Sequence, residues 1–309
     1  MRITNNMLIN NIMTHLSSNL NRTMKYQNQL ATGKKISMPS DDPIVASRAL
    51  KLRTDVAEIQ QYSRNMDDAL SWMAITEATM NQINDVLQRF REITVQAANG
   101  TNTPDDLQKI GAEAGELVTQ IIQLANTTYA GRYIFSGFKT DKPLLNSDGT
   151  FNVGFMENEY IQFEIGIGDF INVNVPGYDL FHRSNVASQG DVSSLFQTLD
   201  SIKKAINGQD LDPDENQHEK ISNLLGELDL EIENLLRVRA GLGARMNRVE
   251  LTSNRLDDDY VNFTKLMSLN EDVDMAEAIM NLFNEQNVYQ ASLSTTARVI
   301  QPSLVDYLK

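Results

Sequence analysis

The stretch 59–97, IQQYSRNMDDALSWMAITEATMNQINDVLQRFREITVQA, decides the fold. Ile59, Tyr62, Met66, Ala69, Met73, Thr76, Met80, Ile83, Leu87, Phe90, Thr94 and Ala97 step through it by alternating three and four residues. That spacing keeps one stripe of a helix turned toward a partner helix. A matching seam returns late in the chain through Ile221, Leu225, Leu228, Ile232, Leu235, Leu242, Met246, Val249, Leu256, Tyr260, Phe263 and Met267, with only Arg239 and Ser253 polar within it. A helix of about 40 residues is roughly 60 Å long, about twice the width of a small domain. The seams therefore predict a mainly α, out-and-back rod of long helices with coiled-coil ends. The only β-like, Gly-rich stretch sits between them and reads as a small antiparallel insert.

Working outward, residues 1 to about 32 read as a polar amphipathic helix whose stripe runs through Ile9, Met13, Leu16, Leu20, Thr23, Gln27 and Leu30. The stripe is thin, so its order should depend on a partner. Gly33 reads as a helix stop, Met38 to Pro43 as a loop, and Pro43 as the first turn of the long helix. Thr103-Pro104-Asp105-Asp106 starts a third helix, along Leu107, Ile110, Ala114, Leu117, Ile121, Leu124 and Thr128, predicted to lie antiparallel on the second. From Gly131 the period changes. Tyr133–Gly137, Phe151–Phe155, Tyr160–Ile165 and Phe170–Val175 alternate apolar and polar residues and predict four strands. Helical spacing resumes at Leu195, Leu199, Ile202 and Ile206. After the return helix breaks near Leu269–Asp272, a last helix places Ile279, Phe283, Leu293, Ala297, Ile300 and Leu304 on one side, with Gln286 and Gln290 in the stripe. The predicted division is a terminal assembly domain of residues 1–42 and 268–309, a helical rod domain of 43–132 and 186–267, and an insert of 133–185.

Composition narrows the function. The net charge of −14 argues against nucleic acid, whose phosphates need a basic surface. The absence of cysteine removes disulfides and thiolate metal sites. No apolar run approaches the ~20 residues of a transmembrane helix, so membrane insertion is not expected. The first 25 residues lack the apolar core of a secretory signal. His15, His182 and His218 are scattered and lack ligand spacing, and the paired acids at 41–42 and 105–106 sit where helix starts want them. Gly241-Leu242-Gly243 lies in a helical seam without a phosphate-binding lysine after it. Trp72 is expected to pack at the edge of its stripe. No catalytic, cofactor or metal residue is predicted, and the chain does not read as an enzyme.

Several segments resemble the flagellin family, in that family's order. Leu30-Ala31-Thr32-Gly33-Lys34-Lys35-Ile36 followed by Asp41-Asp42-Pro43 looks like its N-terminal signature, and Leu87 to Thr101 looks like its helix ending in Gln-Ala-x-Asn-Gly-Thr. Gly241 to Arg248 and Asp272 to Ala278 resemble its C-terminal motifs. Met1-Arg2-Ile3-Thr4 and Gly131-Arg132-Tyr133-Ile134-Phe135-Ser136-Gly137-Phe138-Lys139-Thr140-Asp141-Lys142-Pro143 look like the family's hook-filament junction members rather than its filament subunits. Pro302 departs from the smooth run expected of the last helix.

The resemblance implies a structural subunit of the bacterial flagellum, extracellular and exported without a cleaved signal peptide. Its implied partners are copies of itself in a tubular ring, the inner hook-associated junction protein, flagellin assembling upon it, and an export chaperone at the C-terminal region. Residues 1 to about 40 and 270–309 are then expected to order only on assembly. The implied assembly residues are Ile9, Leu16, Leu20, Leu30, Arg89, Arg91, Glu92, Gln96, Phe283, Leu293, Ile300 and Leu304. The rival readings are the flagellin filament subunit itself and another secreted coiled-coil scaffold.

Overall fold

The computed structural model describes residues 5–99, 102–155, 158–182, 188–209 and 217–299. In chain order the elements are α1 (Asn5–Thr32), α2 (Pro43–Ala98), α3 (Pro104–Ala125), β1 (Thr128–Tyr129), β2 (Arg132–Tyr133), β3 (Gln162–Gly166), β4 (Asp169–Asn172), α4 (Gly177–Phe181), α5 (Ser194–Ile206), α6 (Gln217–Glu271) and α7 (Met275–Val299). The fold is mainly α, as the seams predict. The chain divides into two compact units, one of Met1–Ile59 with Asp258–Lys309 and one of Gln60–Asp257.

Helix boundaries follow local chemistry. The amide of Gly33, at φ +69°, donates to the Gln29 carbonyl at 2.8 Å and closes α1 in a left-handed turn that glycine adopts without strain. The Asp42 carboxylate accepts from the amides of Ile44 and Val45 at 3.0 and 3.1 Å, so an acid before Pro43 caps α2. At α3, the Thr103 hydroxyl accepts from the Asp106 amide while the Asp106 side chain accepts from the Thr103 amide, a reciprocal capping box with Pro104 at its start.

In the larger unit the outgoing seam is the core. Met66, Ala69, Met73, Thr76, Met80, Ile83, Phe90, Thr94 and Ala97 are fully enclosed, and Leu87 is nearly so. Each large apolar side chain here removes enough surface from water to contribute about 1.5–3 kcal/mol. Ile221, Leu228, Ile232, Leu235, Leu242, Val249 and Leu256 of α6 are buried in turn. Ion pairs fix the direction: Arg91 meets Asp229, and Glu77 meets Arg239, so α2 and α6 run antiparallel. Arg89 reaches Glu113 of α3, which likewise turns back along α2. α3 and α5 approach more closely: a Cβ on Gly111 would collide with the Asn207 side-chain oxygen. Trp72 is half-buried, edge-on to Tyr129 at 5.8 Å, as its place beside the stripe predicts.

The insert differs from the sequence reading. β1 and β2 form a two-residue hairpin that begins at Thr128, before the predicted limit, with Ala130 at φ 49° and Gly131 at φ 77° in its turn. β3 and β4 pair antiparallel with a bulge between Glu164 and Gly166. Phe151–Phe155 and Val173–Val175 form no strand, Ile134–Gly137 is a chain of turns, and Gly177–Phe181 is helical. Side chains replace the missing ladders. Asn126 exchanges two hydrogen bonds with the backbone of Leu145, at 2.9 and 3.0 Å, and Asn174 accepts from the Ile161 amide at 2.8 Å and donates to the Glu159 carbonyl at 2.9 Å. The alternation of apolar residues is real but serves an aromatic core: Phe135 stands edge-on to Phe181 at 5.9 Å, and Phe155 to Phe151 and Tyr178 at 5.8 and 5.4 Å.

Candidate assembly surfaces

In the smaller unit α1 and α7 pair antiparallel, with Cα atoms within 8 Å of each other. On α1 the enclosed or half-enclosed positions are Ile9, Ile12, Leu16, Asn19, Thr23, Tyr26 and Leu30, and on α7 they include Ala278, Leu282, Glu285, Tyr289, Ser292 and Thr296. Both sets keep heptad spacing. Polar contacts bind the seam: Asn19 Nδ2 donates to Ser292 Oγ at 3.1 Å, and Arg22 Nε donates to Glu285 at 3.0 Å. Buried Thr23 donates its hydroxyl to the Asn19 carbonyl at 3.0 Å.

This phase corrects the sequence reading by one residue. The predicted α7 stripe faces outward, with Phe283 61% exposed and Ile279 and Leu293 each 42%. On α1, Ile9, Leu16 and Leu30 lie in the seam, whereas Leu20 is exposed together with Met13 and Met24. The physical reason is the close approach, which small seam residues such as Ala278, Ser292 and Thr23 allow and larger side chains would block. The more apolar face of α7, and the Met13–Leu20–Met24 stripe of α1, are therefore left to solvent in the single chain. Ile300, Leu304 and Pro302 lie outside the described residues, as do Met1 to Thr4.

On α2 the predicted surface group separates. Arg89 donates to Glu113 at 2.7 and 3.0 Å and pairs with Glu92 at 3.0 Å, while Arg91 donates to Asp229 at 2.6 Å. These hydrogen bonds push both guanidinium groups above their ordinary range, Glu113 acting first on Arg89 and Asp229 on Arg91. The two arginines thus hold α2 to its neighbours. The outward face of this segment carries Val95, 46% exposed, and the Gln96 side chain, beside Glu92, which is exposed but paired with Arg89. Val95 was missed because a β-branched residue off the seam carries no signal of its own.

Where α1 ends and α6 gives way to α7, a polar cluster closes the smaller unit. The Glu271 side chain, only 3% exposed, pairs with Arg53 and stands 3.5 Å from Lys34 Nζ, which also pairs with Asp272 at 2.7 Å. Hydrogen bonds from Lys34 and then Ser268 hold the Asp272 carboxyl below its ordinary range. The backbones join as well: Lys35 N donates to the Glu271 carbonyl at 2.7 Å and Val273 N to the Gly33 carbonyl at 3.0 Å. An acid at a helix break is the one sequence signal that points to this cluster.

Among the described residues, no group of three or more His, Asp or Glu is placed to hold a metal ion. No described helix is long and apolar enough to cross a membrane.

Residues 3–140 match the bacterial flagellin N-terminal helical region and residues 225–308 the bacterial flagellin C-terminal helical region. The chain belongs to the flagellin family. It is 30% identical to flagellar hook-associated protein 3 of Escherichia coli K12 over 94% of this chain and 95% of that one. It is also 30% identical to a flagellin of Bacillus subtilis 168 over 97% of each. In fold it is similar to a putative flagellar hook-associated protein from Vibrio parahaemolyticus, with a TM-score of 0.64 at 21% identity, covering 75% of this chain and 99% of that one. The matched N-terminal region holds α1, α2, α3, β1 and β2, and the matched C-terminal region holds most of α6 and all of α7.

Proposed function

We propose that the protein is a non-enzymatic structural subunit of the bacterial flagellum, an adaptor at the hook-filament junction on which flagellin assembles. The observation that carries the junction over the filament is the segment Gly131–Pro143. It is the seat of the insert: Phe135 is fully buried, its carbonyl accepts from Gly177 N at 2.7 Å, and Tyr133 N donates to the Thr140 carbonyl at 2.9 Å. The motif that resembles junction members is thus the packing centre of a domain rather than a surface decoration. The relatives named hook-associated protein 3 support the same reading.

The mechanism follows from the two faces of the terminal helices. Residues 1–42 and 268–309 are the assembly domain, 43–132 and 186–267 the helical body, and 133–185 the insert. The α1–α7 seam is held by few large apolar contacts, so the pair alone is weak. Its outward stripes, Met13, Leu20 and Met24 on α1 and Ile279, Phe283 and Leu293 on α7, bury their surface when further copies close a tubular ring. Glu92, Val95 and Gln96 supply a lateral contact on the body. The inner hook-associated junction protein and flagellin cover the two ends of the ring. Before that, export without a cleaved signal peptide leaves the same C-terminal stripe for a chaperone to shield.

Deletion of the gene in its own bacterium tests the reading. Hooks should be complete and bare, with flagellin synthesised and released as monomer. Loss of flagellin itself would favour the filament-subunit reading, and normal filaments would refute both.

A further inference from the structure

A heptad seam does not by itself say which turn of one helix faces which turn of the other. Sliding α7 along α1 by seven residues, about 10.5 Å, brings an equivalent pattern back into contact. Where the seam holds large apolar side chains, mismatched packing opposes such a slip. Between α1 and α7 it alternates Ile9, Ile12, Leu16, Tyr26, Leu30, Leu282 and Tyr289 with the polar Asn19, Thr23, Glu285 and Ser292, so apolar packing resists a slip only in part. The Asn19–Ser292 and Arg22–Glu285 contacts favour one register along the seam, and its closed end needs a fixed start.

We infer that the Glu271 cluster is the register pin of the terminal helix pair, with Glu271 as its positioning residue. The cluster sits at the one end where both helices are tied to the chain that precedes or follows them. Its two backbone hydrogen bonds, between 33–35 on one side and 271–273 on the other, fix the end of α1 beside the start of α7 to within one residue. Glu271 locks that bridge because it is almost fully enclosed and its carboxylate is compensated by Arg53 of α2, with Nε at 3.3 Å from Oε2, and by Lys34. A buried carboxylate in a hydrogen-bonded ion pair tolerates one placement, since moving it leaves a charge unpaired in the interior. Asn270 donates to the Val45 carbonyl at 3.1 Å and Asp274 accepts from the Ala276 and Glu277 amides at 2.9 and 3.3 Å, so the residues flanking Glu271 are held on both sides. Pairing then zips outward from a fixed start. The inference concerns the chain itself and does not depend on where in the flagellum the subunit sits.

The chain has no cysteine, so two introduced thiols report on one another alone. Asn19→Cys with Ser292→Cys places them in register, where the native side chains meet at 3.1 Å. Tyr26→Cys with Ser292→Cys joins only after a seven-residue slip, because thiols that far apart along a helix cannot form a disulfide. Oxidation of the full-length free chain traps even transient pairing. With Glu271 intact, the in-register pair should cross-link at least about tenfold faster than the slipped pair, a small share of what losing one partner of a buried ion pair costs. Glu271→Ala should bring the two rates within about threefold of one another, Glu271→Gln should give an intermediate ratio, and exchange of charges as Arg53→Glu with Glu271→Arg should restore the preference. Helix content by circular dichroism shows that the variants keep their fold. An unchanged ratio in Glu271→Ala overturns the inference. So does the absence of cross-linking in every pair of the parent chain, since no register would then exist to be set.

Discussion

Replacing Phe283 by serine separates the stability of the subunit from its ability to assemble. Phe283 is 61% exposed in the single chain and lies on the outward stripe of α7. A phenylalanine presents about 200 Å², so about 120 Å² remains to be covered, and at about 25 cal/mol per Å² its burial contributes about 3 kcal/mol. Serine recovers little of that, so each contact should lose about 2–3 kcal/mol, or roughly 30- to 140-fold in association constant. The free subunit should be nearly unaffected, because a substitution at an exposed site shifts stability by about 0.5 kcal/mol or less. Sedimentation across a concentration series reads the first quantity, and thermal unfolding followed by circular dichroism reads the second. Leu251, 72% exposed on α6 and part of the larger unit, supplies the control; Leu251→Ser should leave the critical concentration within about twofold. The reasoning is refuted if Phe283→Ser assembles like the parent, or if it unfolds the free chain, which would put the side chain inside the subunit after all.

The same contacts predict other outcomes. Arg91 and Asp229 form an exposed pair, so a double-mutant cycle with alanine should return a coupling of about 0.2–1 kcal/mol that salt diminishes, measured by urea unfolding. Gly177→Ala places a Cβ 2.6 Å from both methyl carbons of Leu144 and 3.0 Å from the Phe135 carbonyl oxygen, and overpacking of the insert should cost about 1–3 kcal/mol in the same assay. Burial raises the Asp179 carboxyl above its usual 3.8 despite a hydrogen bond from Tyr160 at 3.1 Å. The folded chain then holds that proton more tightly than the unfolded one, so Asp179 opposes folding increasingly as pH rises from about 4 through its folded value. Asp179→Asn, which keeps the acceptor for Tyr160, should stabilise at neutral pH and lose that advantage below pH about 4. Equal melting of both forms at neutral pH would count against it.

How much of this the residues reveal depends on whether one force dominates locally. The seam from Met66 to Ala97 is legible because period, burial and helix propensity agree at every position, and ion pairs such as Glu77 with Arg239 then enforce the direction of return. At Phe151 and Val173 the alternation of apolar residues predicts strands, yet their amides donate to the Asp191 and Ile161 carbonyls outside any regular ladder, asparagine side chains hold the backbone of Leu145 and Ile161, and the apolar side chains join an aromatic cluster. Alternation reports which side is buried, not what the amides bond to. In α7 two adjacent heptad stripes compete. Apolarity favours 279, 283 and 293, whereas the close neighbour demands the smaller and more polar 278, 285 and 292. A sequence rule that seeks the most apolar stripe selects the face left exposed in the single chain, and misses the face used within the chain. At Glu271 the helix break is legible but the ion pairs are not: its partners Lys34 and Arg53 are more than two hundred residues away in sequence, and only the return of the chain brings them together.

The central claim is a place, so its most direct test is localisation. Antibody or tag labelling of the protein on intact flagella, viewed by electron microscopy, should give a single narrow band where hook meets filament, on every flagellum. Label distributed along the filament would contradict the account and make the protein a filament subunit.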